Sequence, residues 1–365
     1  MLSSLRGEQS SELPEAEIWY GAHPVAASKF LDGSTLLAAI EADPTALVGE
    51  ENVDRFGARL PFLLKLLAAD RPLSIQAHPT IEQAREGFAR ENKAGVAVDA
   101  PNRSFRDNNH KPELIAAITP FEALVGFREP ALTVDLLREL AAPASFISSV
   151  SEEGPKAAMR SLLESKPVDR DDVTACITAI VAGAQAYACD AWAAEADLLA
   201  RLDSLYPGDP GIGVAALLNR VVLQPGEAIF LDAGNLHAYI AGLGIEIMAN
   251  CDNVVRGGLT PKHIDVPSLL TIVCPEPLDA TPLGLDDDRY HSPAPEFALT
   301  RVGPDTARTA VGPAIVLAVE GSTSATDDET LLLEPTEAVW LPVGESASVR
   351  STGIAFIAEV SRAQG

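Results

Sequence analysis

Part of this chain is written twice, and that limits its fold more than any other feature. Leu223-Gln-Pro-Gly-Glu-Ala-Ile-Phe-Leu-Asp-Ala-Gly-Asn-Leu-His returns 110 positions later as Leu333-Glu-Pro-Thr-Glu-Ala-Val-Trp-Leu-Pro-Val-Gly-Glu-Ser-Ala, with Leu, Pro, Glu, Ala, Leu and Gly in register. Self-similarity at a fixed offset marks a duplicated structural unit. Each copy reads as a short strand, a turn, an apolar strand and a Gly turn, the rhythm of an antiparallel jelly roll. The copies part where chemistry could reside. His237 aligns with Ala347, and no histidine follows His291. One unit can present imidazole to a metal, and the other cannot.

The rest of the chain is organised around those two units. At 365 residues it has room for two or three domains at roughly 150 residues each. Up to residue 127, Pro-, Gly- and Asp-rich stretches alternate with short apolar runs. Arg59 to Ala69, with Pro61 in its first turn, predicts a short helix. Pro72 to Pro79 predicts a strand, Ile81 to Asn92 a charged helix, and Leu114–Thr119 and Phe121–Phe127 two more strands. Residues 128–212 differ in kind: Leu132–Leu140, Pro155–Ser165 and Asp171–Tyr206 read as helices, and eleven alanines fall between 175 and 200. The expected fold is mainly β with an α-helical insert: a discontinuous barrel unit (1–127 with 213–275), the insert (128–212) and a second barrel (276–365) without metal ligands.

Charge removes several classes of function. With 27 basic and 52 acidic residues the net charge is −25, so electrostatic binding to nucleic acid or to an anionic membrane is not expected. The acidic excess in residues 276–365 reads as a solvated surface. The opening residues show no apolar signal-peptide run, and the longest uncharged stretch, Val173–Cys189, is Ala-rich rather than membrane-like. Cys176, Cys189, Cys251 and Cys274 lack C-x-x-C spacing and read as reduced thiols of a cytoplasmic protein.

Six histidines leave few candidates for metal chemistry. Gln76 and His78, two apart on a predicted strand, share a face. His237 follows a Gly turn in the repeat, and Glu113 begins the next predicted strand. Two imidazoles, a carboxylate and an amide oxygen suit Zn²⁺ with a position left for water or substrate. Only seven lysines occur, yet Lys65, Lys111 and Lys262 lie beside these segments, and Lys262 shares a cluster with Arg256. Local cations in so acidic a chain fit a small anionic ligand such as a phosphate.

Five segments, in order, resemble the type I mannose-6-phosphate isomerases, or phosphomannose isomerases: Ala16-Glu-Ile-Trp-Tyr-Gly-Ala-His-Pro, Pro72-Leu-Ser-Ile-Gln-Ala-His-Pro, Asn109-His-Lys-Pro-Glu-Leu, Ala233-Gly-Asn-Leu-His-Ala-Tyr and Asp252-Asn-Val-Val-Arg-Gly-Gly-Leu-Thr-Pro-Lys. The resemblance implies two cupin units and a zinc-dependent aldose–ketose isomerase. Such an enzyme interconverts mannose 6-phosphate and fructose 6-phosphate through a cis-enediol and feeds mannose metabolism and GDP-mannose supply. It implies one Zn²⁺ on Gln76, His78, Glu113 and His237, the active-site arginine at Arg256, and a sugar-phosphate pocket lined by Lys65, Ser74, Lys111, Tyr239, Glu246, Asp252 and Lys262. The expected partner is a small phosphosugar, and the chain is expected to be a monomer.

Isomerisation needs a base for a carbon-bound proton and a stabiliser for the oxygen that becomes negative. Arg256, protonated at any working pH, suits the second role. Glu246 and Asp252 both remain open as the base. Lys111 or Lys65 could grip phosphate or, with a lowered pKa, shuttle protons. His23 reads as part of a structural Gly-Ala-His-Pro turn. The chain lacks the family's early aromatic-Trp-Gly-Ser motif, so it reads as shortened by a strand and a turn. A binding-only cupin, or an isomerase of another phosphosugar, is the competing reading. Asp232 stands where Pro is usual and Phe105 where Tyr is common, both read as tolerated.

Overall fold

A computed structural model describes residues 2–9, 15–164, 170–304 and 306–362. Nine strands build the first sheet system: β1 (Glu17–Tyr20), β2 (Phe62–Ala69), β3 (Ile75–Ala77), β4 (Glu113–Ala117), β5 (Phe121–Phe127), β6 (Leu218–Leu223), β7 (Ala228–Leu231), β8 (His237–Ala249) and β9 (Val255–Gly258). The long strand β8 ties two layers together. From Gly242 onward it pairs with β2 and β4, whereas His237–Ala241 pairs with β3 and β5. One layer therefore runs β1-β2-β8-β4-β7 and the other β9-β3-β8-β5-β6, with every pair antiparallel. The crossing occurs at Gly242, at φ +130°, where a Cβ would sit 2.8 Å from the Phe121 backbone. A side chain there would block the bend.

Strand alternation then decides what faces the space between the layers. Leu67 and Ala69 of β2, Ile115 and Ala117 of β4, and Tyr239 of β8 share one core. Leu64, Leu66, Ala68, Leu114 and Ala116 turn the opposite way into a second core. Lys65 and Glu113 have the parity of the first set, so two charged groups enter the barrel at its open end.

The predicted helix over Arg59–Ala69 is instead strand β2. All eight of its residues are buried, on both faces, so its apolar run carries no period to separate strand from helix. Pairing with β1 and β8 overrides the helix propensity of Leu and Ala. Three short helices, Leu36–Ala42, Pro44–Val48 and Glu50–Phe56, occupy a stretch given no element from the sequence. Thr35 and Asp43 cap the first two by accepting from the Ala38 and Ala46 amides.

The excursion between β5 and β6 is helical, with Pro130–Glu139, Pro155–Leu163, Arg170–Ala186 and Ala193–Leu205 as its main rods. Ser165, the expected end of one helix, lies outside the described residues. The single helix expected over Asp171–Tyr206 is broken between Ala186 and Ala193. There the Trp192 amide donates to Tyr187 Oη and its indole N–H donates to Asp135 Oδ2 at 3.0 Å, folding one rod back on the other. The helix Val266–Ile272, which follows β9, was also not expected.

The C-terminal part holds β10 (Arg289–Tyr290), β11 (Ala298–Val302), β12 (Ala307–Val311), β13 (Ala314–Glu320), β14 (Thr323–Thr326), β15 (Thr330–Leu333), β16 (Ala338–Leu341), β17 (Ser346–Ser351) and β18 (Ile354–Glu359). They form antiparallel sheets ordered β10-β11-β18-β13-β16 and β12-β17-β14-β15, with a core of small and β-branched residues between them. The outer face of the five-stranded sheet (Leu299, Ile315, Leu317, Phe356) packs on Leu64, Leu66 and Ile247 of the first unit.

The sequence repeat is a structural one. Glu227 N–H donates to Gln224 O at 2.8 Å and Gln224 N–H to Glu227 Oε2 at 2.7 Å. Glu337 and Glu334 repeat both bonds at 2.9 Å. Gly226 has φ +92° and its counterpart Thr336 +74°. The two turns are locked across the boundary between units. Tyr290 Oη donates to Gly226 O at 3.0 Å, and Tyr20 Oη to Thr336 O at 2.8 Å. No helix among the described residues is long and apolar enough to cross a membrane, and all four cysteines are free.

Candidate metal centre

At the open end of the first unit, His78, Glu113 and His237 are buried, with ligating atoms all within 4.8 Å of one another. Each comes from a different segment. His78 follows β3, Glu113 opens β4 opposite Met248, and His237 opens β8 opposite Gln76. The Gly234 amide, in the turn before His237, donates to His78 O at 2.8 Å and fixes the two histidine segments together.

The imidazoles are oriented by the backbone. His78 Nδ1 lies 2.6 Å from Asn253 O, and His237 Nδ1 lies 3.0 Å from Asn235 O. A carbonyl can only accept, so each Nδ1 carries a proton and each Nε2 presents a lone pair. Those lone pairs point at Glu113: His78 Nε2 is 3.4 Å from Oε1, and His237 Nε2 is 3.2 Å from Oε2. The Gln76 amide reaches His237 Nε2 at 3.2 Å, and turned end for end it would present its oxygen there. His78 Nε2 and both Glu113 oxygens are buried without a well-aligned hydrogen bond. Several lone pairs crowded together away from water are costly unless a cation joins them. The donor set of two imidazole nitrogens, one carboxylate and one amide oxygen fits Zn²⁺.

Protonation states agree with that fit. Burial pushes the His78 imidazolium down to about 4, so the ring is neutral at pH 7. Burial works to raise the Glu113 carboxyl, but Lys111, 2.9 Å away, and the two histidines outweigh it and hold it well below the ordinary value.

A cavity of about 500 Å³ opens above these groups. Its wall includes Lys65, Ser74, Gln76, Lys111, Glu113, Tyr239, Glu246, Asp252, Arg256 and Lys262. The sequence-derived residues therefore converge on one space, with His78 and His237 in contact with Glu113 on its wall. Lys65 Nζ pairs with Glu246 Oε2 at 2.9 Å and lies 3.7 Å from Glu17. Burial alone would lower the Lys65 pKa, but Glu246, Glu17 and Glu113 raise it above the usual lysine value. Of the two roles left open for Lys65, gripping phosphate or shuttling protons with a lowered pKa, the raised value argues against the second. Burial raises the Tyr239 phenol well above its usual value, with Glu246 and Glu113 adding to the effect, so it stays protonated. Burial, then Arg106, lowers Arg256, which remains a cation at any working pH.

The wall also includes residues that were given no role in the site from the sequence, among them Glu17, Trp19, Arg106 and Cys251. Glu17 and Trp19 alternate on β1, which the Glu-Ile-Trp spacing could have disclosed had the strand's inner face been known. Trp19 Nε1 donates to Glu17 at 2.6 Å and its ring lies 5.1 Å from Lys65 Nζ. Arg106 stands beside Asp107, a residue that accepts from the Asp252 amide at 2.7 Å.

Residues 4–130 match the family described as phosphomannose isomerase type I, catalytic domain. Mannose-6-phosphate isomerase of Salmonella typhimurium is 38% identical over 366 residues, covering 95% of this chain and 91% of the relative. That of Rattus norvegicus is 33% identical, covering 80% and 73%. A crystal structure of the Salmonella typhimurium enzyme bound to substrate (fructose 6-phosphate) and zinc superposes with a TM-score of 0.87 at 35% identity, covering 99% of this chain and 95% of that one.

Proposed function

The chain belongs to the type I phosphomannose isomerase family, and from that premise we propose that its cavity interconverts mannose 6-phosphate and fructose 6-phosphate with one zinc ion. The observation that carries this reading is the buried His78–Glu113–His237 cluster facing a cavity whose lining has more cations than carboxylates, in a chain of net charge −25. Gln76, His78, Glu113 and His237 would hold the ion. When bound, zinc supplies a Lewis acid that polarises a sugar oxygen.

The chain's own residues account for the remaining demands. Arg256 places a permanent positive charge where the sugar oxygen gains negative charge on the way to the cis-enediol. Lys262, Ser74 and Tyr239 bind the substrate, and Lys111 supplies a further cation beside the metal ligands. Glu246 is committed through Oε2 to Lys65 and orders a sugar hydroxyl. Asp252 is half-buried, and among the described residues its Oδ2 accepts no hydrogen bond, so it is the group we assign to carry the proton between C2 and C1.

In this reading 1–127 with 213–275 is the catalytic cupin, 128–212 the helical insert and 276–365 a cupin without metal. The free thiols support a cytoplasmic location, and the reading takes the chain as a monomer that serves mannose metabolism and GDP-mannose supply. The test is a coupled assay for fructose 6-phosphate on the purified chain, after chelation and after zinc is restored. Activity lost to chelation and regained with zinc is expected. A zinc-loaded chain that forms no fructose 6-phosphate would overturn the reading.

A further inference from the structure

We propose that His23 is the positioning residue of Asp252: from a turn far away in sequence, it clamps one carboxylate oxygen so that the other faces the cavity. The proposal rests on the isomerase reading and adds a residue to its machinery.

The geometry leaves the His23 ring little freedom. It is 2% exposed and sits in a turn closed by Ala26 N–H to His23 O at 3.1 Å and Ser28 N–H to Gly21 O at 2.9 Å. The Val25 amide donates to His23 Nδ1 at 3.2 Å. An amide hydrogen needs a lone pair, so in the neutral ring the proton resides on Nε2. Nε2 lies 3.2 Å from Asp252 Oδ1. Trp19 packs edge-on against the ring, centroids 4.8 Å apart at 82°, and so blocks its rotation.

Asp252 is fixed everywhere except at its side chain. Its amide donates to Asp107 Oδ2 at 2.7 Å, and the next residue, Asn253, is fully buried and donates to the Asp107 and Asn109 carbonyls. The backbone at 252 is therefore set by the loop before β4. The remaining freedom is rotation of the carboxylate, and the His23 bond removes it. The same bond leads the causes that lower the Asp252 carboxyl below its ordinary value. Reacting groups misplaced by about 1 Å can cost about 100-fold in rate, so such a clamp is felt in turnover.

The test is a double-mutant cycle on the zinc-loaded chain with mannose 6-phosphate as substrate: His23→Ala, His23→Gln, Asp252→Asn and His23→Ala with Asp252→Asn. His23→Ala should lose about 10- to 100-fold in kcat/KM with zinc content unchanged. His23→Gln, whose amide nitrogen falls near the Nε2 position, should recover most of that loss. In the Asp252→Asn background, His23→Ala should cost less than about twofold, because residues acting as one unit are not additive. Losses that multiply, or a His23→Gln variant as poor as His23→Ala, would overturn the proposal. A parallel ¹⁵N spectrum needs no turnover. His23 should be the Nε2–H tautomer, with an Nε2–H resonance that moves in Asp252→Asn. An Nδ1–H ring, or an unmoved resonance, would refute the clamp even if the wild-type chain failed as an isomerase. Wild-type inactivity with zinc bound would instead count against the isomerase reading.

Discussion

Lys65 and Glu246 form a buried ion pair whose removal can be worked through in numbers. Their side chains are 8% and 4% exposed and Nζ is 2.9 Å from Oε2. At an effective dielectric of about 20 the attraction is about 6 kcal/mol. Desolvating two ions costs several kcal/mol each, so the pair as a whole contributes little net stability. Deleting one partner is different. Lys65→Met leaves Glu246 charged and buried, with Glu17 3.7 Å from the vacated site, and should destabilise by about 3–5 kcal/mol. Lys65→Met with Glu246→Gln removes both charges and should return to within about 1.5 kcal/mol of the parent, while activity stays lost in both variants. Urea unfolding of the zinc-loaded chains, read by tryptophan fluorescence, measures the first quantity, and the coupled assay measures the second. The electrostatic account fails if Lys65→Met unfolds within about 1 kcal/mol of the parent, or if the double variant is no more stable than the single one.

His237→Ala should abolish zinc binding and activity together, and elemental analysis showing full zinc occupancy would refute its role as a ligand. Arg256→Ala should lower kcat by ~10²–10³ with zinc retained, judged from the loss of one electrostatic donor, and steady-state kinetics with an unchanged kcat would refute its part in stabilising the developing charge. Thr336→Gly should raise unfolding free energy by about 0.5–1 kcal/mol without altering turnover. A β-branched residue at φ +74° costs about 1–2 kcal/mol, of which the added chain entropy of glycine offsets part, and a loss of stability in urea would refute the strain argument.

The metal cluster was readable because it depends on parity and turns, both of which are local. Gln76 and His78 are two apart, Lys111 and Glu113 are two apart, and His237 follows a glycine at positive φ, so short segments already carry the information. The strand over Phe62–Ala69 was not readable, since burial on both faces erases its period, and only pairing with two neighbours identifies it. The break after Ala186 depends on contacts of Tyr187 and Trp192 with each other and with Asp135, which an Ala-rich stretch does not announce. The choice between the two roles open to Lys65 was not readable for the same reason. Burial alone would have lowered its pKa, and the carboxylates that reverse the sign come from three other strands. His23 was legible as a turn residue but not as a neighbour of Asp252, because nothing local joins the two.

The C-terminal unit also acquires a physical role from these contacts. Strand β1 ends the order β1-β2-β8 and pairs with β2 alone among the described residues, a position where strands fray. Yet β1 carries Glu17 and Trp19 to the cavity, and the turn after it carries His23. Alternation sends Ile18 and Tyr20 the other way, onto the core shared with the five-stranded sheet of the C-terminal unit. There Tyr20 Oη donates to the carbonyl of Thr336, the residue that occupies in the second copy the turn position of Gly226. The second copy lacks a histidine at the equivalent of His237 but retains the turn geometry that accepts this bond, and it offers Tyr290 to the first copy's turn in return. A second copy that lacks the equivalent of His237 thus restrains, from behind, the edge strand that walls the catalytic cavity.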